Sequence, residues 1–323
     1  MTRAIRFSTA GGPDVLRLEE IELPPPGPGE IRLRQTAIAV NFIDTYHRSG
    51  LYPVKLPSGV GLEAVGIVEA IGAGVTEFSV GDRAGYCTGP IGAYAEATNL
   101  PAGRAVRIPD EISDDIAASI LMKGMTSEYL LRRTYPVKAG DTILFHAAAG
   151  GVGQVACQWA KALGATVIGT VGSDAKVDLA KSFGCDHVIV STRENIAARV
   201  MDITGGKGVP VSYDGVGKDS FDASIGSLSP RGFLVSFGNA SGPVPPVSPA
   251  VLSPKSLYLT RPGLFAYVGT TAELRMSAAA LFEVVLSGKV KIASPAVYTL
   301  ADAAKAHEDL QARRTTGSII LKP

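Results

Sequence analysis

Cysteine is almost missing: Cys87, Cys157 and Cys185 are three, odd in number and far apart in 323 residues. That excludes a disulfide framework and a Cys-rich metal site. The four histidines, His47, His146, His187 and His307, show no metal-like spacing either. Excess charge of one sign is also lacking. With 31 Lys and Arg against 30 Asp and Glu the net charge is +1, so no basic field draws nucleic acid or an anionic membrane. The longest uncharged stretch, Gly232 to Pro254, is broken by three Gly and five Pro, and nothing in it spans a membrane. Met1-Thr2-Arg3-Ala4-Ile5-Arg6-Phe7 has no apolar signal core, so a cytoplasmic location is expected.

What is present is ample apolar material, 46% of residues, in a length that suits about two domains of roughly 150 residues each. The first 120 residues read as short strands with tight turns, as in Ile31-Arg32-Leu33-Arg34 after the Pro24 to Gly29 turn cluster. From Thr142 the texture becomes that of parallel βαβ units. Strands are expected at Thr142 to Ala147, Ala165 to Val171, His187 to Val190, Val209 to Tyr213, Phe233 to Phe237 and Leu257 to Thr260. Helices are expected to begin near Gly151, Ser173, Arg193, Asp219 and Thr271. A helix near Ala301 to Ala312 and a strand at Ser318 to Leu321 would cross back to complete the first domain. The fold class is therefore α/β: a doubly wound, parallel six-stranded Rossmann sheet at 124–266, with a mainly β domain formed by 1–123 and 267–323.

The most informative motif is the buried strand Asp141-Thr142-Ile143-Leu144-Phe145 running into His146-Ala147-Ala148-Ala149-Gly150-Gly151-Val152-Gly153-Gln154 and then an apolar helix. Ala147-x-x-Gly150-x-x-Gly153 is a variant of the dinucleotide fingerprint, in which small residues let backbone approach a pyrophosphate at a helix N-terminus. Ala148, Gly150, Gly151 and Val152 are its expected cofactor contacts. His146 at the strand end reads as packed rather than catalytic.

The tip of the second strand decides the ribose. Val171-Gly172-Ser173-Asp174-Ala175-Lys176 has no acidic residue at the tip itself, and Gly172, Ser173 and Lys176 suit the 2′-phosphate of NADPH. Two alternatives stand beside this: Asp174 turned onto a ribose hydroxyl, or Ser173 or Asp174 acting only as a helix cap.

Gly61-Leu62-Glu63-Ala64-Val65-Gly66-Ile67-Val68, Gly72, Val75, Gly81-Asp82-Arg83, Asn41-Phe42-Ile43-Asp44-Thr45-Tyr46, the glycine turn, Val235-Ser236-Phe237-Gly238-Asn239 and Gly317-Ser318 together resemble the medium-chain dehydrogenase/reductase superfamily. Within it the chain is similar to the zinc-free quinone oxidoreductases of the zeta-crystallin type, over its whole length. The resemblance implies a GroES-like catalytic domain beside the Rossmann domain. In the zinc-dependent members Cys, a Gly-His-Glu motif and a later Cys or Asp surround the metal. The matching positions here are Asn41, Leu62 and Lys123, which cannot hold zinc, and 85–109 has only Cys87 of the structural zinc lobe.

Without a Lewis acid the fitting chemistry is reduction of acceptors that are already electron-poor, quinones or related conjugated carbonyls, by hydride from NADPH. The resemblance implies that Asn41, Asp44, Tyr46 and Tyr52 line the nicotinamide and quinone pocket, Asn41 toward the nicotinamide ribose or amide and the tyrosines toward acceptor oxygens. The plainer reading is that Asp44 caps a short helix and the tyrosines pack at a domain edge. Thr126 is implied near the nicotinamide, and Lys123 is either part of the same crossing or a surface charge. Lys176 and Arg313 match ligands of the 2′-phosphate, and Ser191, where relatives carry Tyr, is expected to donate its hydroxyl to the same phosphate without the aromatic wall. Phe237, Gly238 and Asn239 follow the fifth strand where such sheets bind ligands. An enoyl or alkenal reductase, and a cofactor-binding protein with a structural role, are the alternatives. Leu257 to Thr260, after the Pro-rich 243–252 segment, is an expected sheet edge, and the resemblance implies a homodimer through it.

Overall fold

The computed structural model describes all 323 residues and divides into two compact units. Unit 1 comprises Met1–Met122, Val268–Phe282 and Ala293–Pro323, and unit 2 comprises Lys123–Tyr267 and Glu283–Ile292.

The chain begins with β1 (Thr2–Phe7), β2 (Arg17–Ile21), β3 (Glu30–Val40), helix α1 (Phe42–Ser49), β4 (Ser58–Gly59), β5 (Ala64–Ile71), β6 (Arg83–Tyr86), β7 (Ala97–Pro101) and β8 (Val106–Arg107). Helix α2 (Asp114–Tyr129) follows. In β3 the alternation read from the sequence holds: Ile31 and Leu33 are fully buried while Arg32 and Arg34 face outward. Strands β3 and β5 form the longest antiparallel pair, with register shifts at Arg32/Leu33 and Gln35/Ala37. Opposite the second shift lies Gly66, where an added Cβ would stand 2.0 Å from the Arg34 carbonyl oxygen.

Unit 2 carries β9 (Thr142–Phe145), α3 (Gly151–Ala162), β10 (Thr166–Val171), α4 (Val177–Ser182), β11 (His187–Val190), α5 (Ile196–Ile203), β12 (Val209–Asp214), α6 (Phe221–Ser227), β13 (Leu228–Ser236) and β14 (Tyr258–Thr260). All six strands are parallel, in the order β11-β10-β9-β12-β13-β14. This is the doubly wound arrangement, with the switch point between β9 and β12. Leu144, Ile168, Ile189, Val209 and Leu234 form the centre of its core.

The remaining elements are α7 (Leu264–Tyr267), α8 (Thr271–Leu286), β15 (Ala296–Thr299), α9 (Ala303–Gln311) and β16 (Ile319–Lys322). β16 pairs antiparallel with β3 and parallel with β15, which completes a seven-stranded sheet in unit 1.

Two local differences have physical causes. β13 starts at Leu228 rather than Phe233, because Leu228 already pairs with Val209 and the turn-like Pro230-Arg231-Gly232 is absorbed as an irregularity with Arg231 at φ 62°. The stretch after β10 enters through a 3-10 turn, Asp174–Lys176, before α4 begins at Val177.

Gly66→Ala is expected to lower the unfolding free energy by about 3 kcal/mol, because the blocking atom is backbone and cannot rotate away. Chemical denaturation measures it, and a loss below about 1 kcal/mol would contradict the packing described.

Candidate functional site

In unit 2 the site is built from backbone. β9 ends at Phe145, the chain turns through Ala147 at φ 54°, and α3 starts after Gly150, an N-cap with no side-chain cap. The positive end of α3 therefore has no side-chain cap bond. Gly153 is required by proximity: a Cβ there would lie 2.4 Å from the Ala148 oxygen and 2.6 Å from that of Ala147. Ala148 is fully buried, Gly151 and Val152 are half-buried, and the sequence-expected contacts of this turn thus lie together.

Buried polar side chains fix the turn from beneath. Ala147 N–H donates to Thr170 Oγ1 at 3.2 Å, and Ala148 N–H to the Thr170 carbonyl at 2.9 Å. Ser224 gives its one hydroxyl proton to Asp214 at 2.7 Å, so at 2.9 Å it receives the proton on His146 Nε2. His146 Nδ1 is then free to accept from Thr170 Oγ1 at 3.3 Å. Burial holds the imidazole pKa below its ordinary value and keeps it neutral, as this tautomer needs. Asp214 also accepts from Ser220 Oγ and from the N–H groups of Val216 and Gly217, so one carboxylate orders the loop after β12 as well. His146 is packed, as the sequence suggested, and its role is to support the turn.

At the next two strand ends, Val171 pairs with Val190, and the loops that follow lie side by side. Gly172 has open space around its Cα, and Lys176 is half-buried. Ser173 makes no side-chain cap bond, and Asp174 turns its carboxylate to Arg193. Ser191 Oγ donates to the Val171 carbonyl at 3.1 Å, so its proton is committed to backbone. After β13, Phe237 packs on Phe145 with ring centroids 6.0 Å apart. A Cβ on Gly238 would meet the Gly215 oxygen at 2.3 Å. Asn239 is half-buried beside it, and Arg261 ties Gly238 down through a 2.8 Å bond to its carbonyl. Thr126 and Lys123 are both buried in α2, which removes the reading of Lys123 as a surface charge.

Unit 1 holds the polar segment after β3. Asn41 is the N-cap of α1, and Asp44 at the third helical position accepts its N–H at 2.8 Å, the reciprocal half of a capping box. Asn41 Nδ2 donates to Glu63 Oε2 at 2.7 Å, and the other oxygen of Glu63 accepts Met122 N–H at 2.7 Å. Asp44 is fully buried and caps α1. Tyr46 and Tyr52 are half-buried and meet edge to face at 5.2 Å, joined by a Tyr52 N–H bond to the Tyr46 carbonyl. Arg313 lies on the turn after α9, exposed and at φ 57°.

No spacing or motif in the sequence points to the group that supports Asp44. Arg48 has only donors, so His307 Nδ1 must accept its Nη1–H at 3.1 Å and the imidazole proton sits on Nε2. Nε2–H then donates to Tyr94 Oη at 3.0 Å, and the Tyr94 hydroxyl donates to Asp44 Oδ2 at 3.0 Å. Arg48 is anchored further by Gln311 Oε1 at 3.0 Å and the Gly11 carbonyl at 3.1 Å. Burial, helped by Arg48, pushes the His307 pKa down to about 3. Glu63 was visible in Gly61-Leu62-Glu63, but Tyr94, His307 and Arg48 had no mutual spacing to reveal them.

The chain matches the family model described as zinc-binding dehydrogenase over residues 151–283, and the alcohol dehydrogenase GroES-like domain over residues 27–110. A quinone oxidoreductase of Pseudomonas aeruginosa is 52% identical, and one of Salmonella typhimurium 50%, each aligned over all of both chains. A 2-haloacrylate reductase of a Burkholderia species is 43% identical over all of this chain and 99% of that one. Among solved structures, quinone oxidoreductase of Pseudomonas syringae pv. tomato superposes with a TM-score of 0.98 at 52% identity over all of both chains. That of Escherichia coli, complexed with NADPH, superposes with a TM-score of 0.98 at 47% identity over 99% of this chain and all of that one. The donor set does not fit zinc: the positions matching the metal ligands are an amide donating to Glu63, a buried leucine and an ammonium.

A buried neutral histidine makes folding pH-dependent with a definite sign. Between about 6.5 and about 3 the unfolded chain binds a proton that His307 in the fold does not, so stability from this source is complete above about pH 6.5 and is lost as pH falls. His307→Gln preserves both bonds, because its amide oxygen can accept from Arg48 and its amide can donate to Tyr94. Denaturation from pH 7 to 4 should show a slope shallower by up to about 1.4 kcal/mol per pH unit in this variant. An unchanged slope would show that His307 is not buried neutral.

Proposed function

Because the chain belongs to the quinone oxidoreductase family of the medium-chain dehydrogenase/reductases, we infer that it is an NADPH-dependent quinone oxidoreductase working without a metal. The observation that carries this reading is the turn at Ala147 to Gly153. Its backbone is close-packed at Gly153, carries no side-chain cap bond and is set at the positive end of α3, so it fits a pyrophosphate. Gly172, Ser173, Lys176 and Arg313 are the groups we assign to the 2′-phosphate. Phe237, Gly238, Asn239 and Thr126 are assigned to the nicotinamide half.

Bound NADPH supplies a hydride from nicotinamide C4. The chain's own task is to orient and to meet developing negative charge. Asn41 is held from two sides, its N–H by Asp44 and its amide by Glu63, and is assigned to the nicotinamide ribose or amide. Tyr46 and Tyr52 are assigned to acceptor oxygens, where a phenol O–H offsets the charge that a quinone oxygen gains on reduction. A quinone spreads that charge over its ring, and so two hydrogen bonds stand in for a Lewis acid. Asp44 is assigned a positioning role because it is fully buried.

Reduction of a C=C bond conjugated to a carbonyl is the second reading, favoured by the 43% identity to a 2-haloacrylate reductase, and it uses the same donors for the enolate oxygen. The retained Asn41 to Tyr52 segment weighs against a purely structural role. We also propose a homodimer, in the cytoplasm, through β14. This strand ends the six-stranded sheet with Tyr258 53% and Leu259 40% exposed, and an unpaired edge of that kind is satisfied by a two-fold copy.

NADPH oxidation with a small benzoquinone is expected to survive exhaustive chelation, and loss of turnover with EDTA that zinc restores would refute the metal-free reading. Lys176→Ala should raise the KM for NADPH about tenfold and leave NADH kinetics nearly unchanged. Light scattering should give twice the single-chain 33.5 kDa, and Leu259→Pro should split or precipitate the dimer by deleting an edge N–H. A native mass near one chain at micromolar concentration would dispose of the dimer.

A further inference from the structure

The loop after β10 carries Asp174, three residues beyond Val171, and the loop after β11 carries Arg193, three residues beyond Val190, its pairing partner. Arg193 donates both Nη2–H, at 2.7 Å, and Nε–H, at 3.2 Å, to Asp174 Oδ1. Both side chains are open to solvent, 58% and 71% exposed. Glu194, the other carboxylate near the guanidinium, lies 3.9 Å from Nη1 and is committed to Val190 N–H at 2.8 Å and to Arg199 at 3.1 Å. So the fork of Arg193 is spent on the one carboxylate that a second-strand ribose site would otherwise present to a 2′-hydroxyl.

We propose that Arg193 is a determinant of cofactor choice in this chain: it withholds Asp174 from a ribose 2′-hydroxyl and transfers its guanidinium to a 2′-phosphate when one is present. The inference rests on the NADPH reading above and deepens it.

The exchange follows from charge and geometry. A phosphate monoester brings close to two negative charges and three acceptor oxygens, and a guanidinium prefers that to a single exposed carboxylate oxygen. An exposed ion pair is weak enough to be opened by such a ligand. A 2′-hydroxyl brings no charge, so Arg193 stays on Asp174 and the hydroxyl finds no carboxylate. Discrimination then has an attractive part and a withheld part. The arrangement also offsets Ser191, which lacks the ring of a tyrosine and gives its hydroxyl proton to the Val171 carbonyl. Arg193 keeps the Asp174 carboxyl below the usual carboxylate range, so the pair is charged at working pH.

The test is calorimetric, on the full chain, with ligands that differ only at the 2′ position: 2′,5′-ADP against 5′-AMP, and NADPH against NADH. Arg193→Ala should weaken 2′,5′-ADP and NADPH about tenfold while 5′-AMP and NADH bind as well as before or more tightly, since Asp174 is released. Arg193→Lys should fall between, keeping charge and losing the fork. Asp174→Ala should tighten the 2′-phosphorylated ligands, and the double variant should behave as Arg193→Ala. Equal weakening of both ligand classes in Arg193→Ala would overturn the proposal and leave the pair a loop strut. So would an Asp174→Ala variant that loses as much NADPH affinity as Arg193→Ala. A wild-type protein with no preference for 2′-phosphorylated ligands and no turnover of NADPH would instead remove the NADPH reading, and the proposal with it.

Discussion

Unit 2 depends on how closely α3 can approach the ends of β9 and β10. Gly153 admits no Cβ against the Ala147 and Ala148 carbonyls, and Gly169 admits none against Ala148 Cβ at 2.7 Å and Cys185 Sγ at 2.5 Å. Small residues on both sides of the contact bring a helix N-terminus without a side-chain cap bond to the carboxyl edge of the sheet. A turn this tight needs support below. The chain from Ala147 N–H through Thr170, His146 and Ser224 to Asp214 provides it, each hydrogen having one place to go. The same carboxylate orders the loop after β12, so the glycine turn and that loop share one buried anchor.

Unit 1 solves a related problem with charge. Asp44 and Arg48 lie on one helix, both buried, and no ion pair joins them directly; Tyr94 and His307 bridge the two with protons in fixed positions. The bridge works only while His307 is neutral, and burial secures that down to acid pH. Its consequence is local: α1 is held at both ends, by Asp44 at its start and by Arg48 on α9 and Gly11 near its finish. Asn41 and Tyr46 therefore sit on a helix with little freedom to tilt, which is what positioning groups need.

The architecture was legible because it is written locally. Alternation in β3, the strand-turn-helix at Thr142 to Gln154 and the regular spacing of the later strands each depend on a few neighbouring residues, and the six parallel strands follow. The limits lie where local appearance and pairing disagree: Pro230-Arg231-Gly232 looks like a turn, yet Leu228 is already in the ladder. The site was half legible for the same reason. The glycines of the Ala147 to Gly153 turn are contiguous, whereas the network under Asp44 draws on residues 48, 94, 307 and 311, whose proximity only the folded sheet creates. Asp174 is the sharpest case. Its sequence position admits a ribose ligand, a helix cap or neither, and the deciding partner, Arg193, stands 19 residues away on another loop.

Removing the metal ligands leaves a carboxylate that must be satisfied in another way. Glu63 stands where the zinc-dependent relatives carry the glutamate of Gly-His-Glu, and it is fully buried. A buried carboxylate without donors would be untenable, and here the Asn41 amide and the Met122 N–H supply two at 2.7 Å. Asparagine at 41 thus does what cysteine could not, since a thiol is a weak donor and a thiolate would add a second negative charge beside Glu63. The residue that cannot hold zinc is one that satisfies Glu63, and position 41 becomes a fixed amide. With that, the reaction open to the protein passes from acceptors that a metal must polarise to acceptors polarised by their own conjugation.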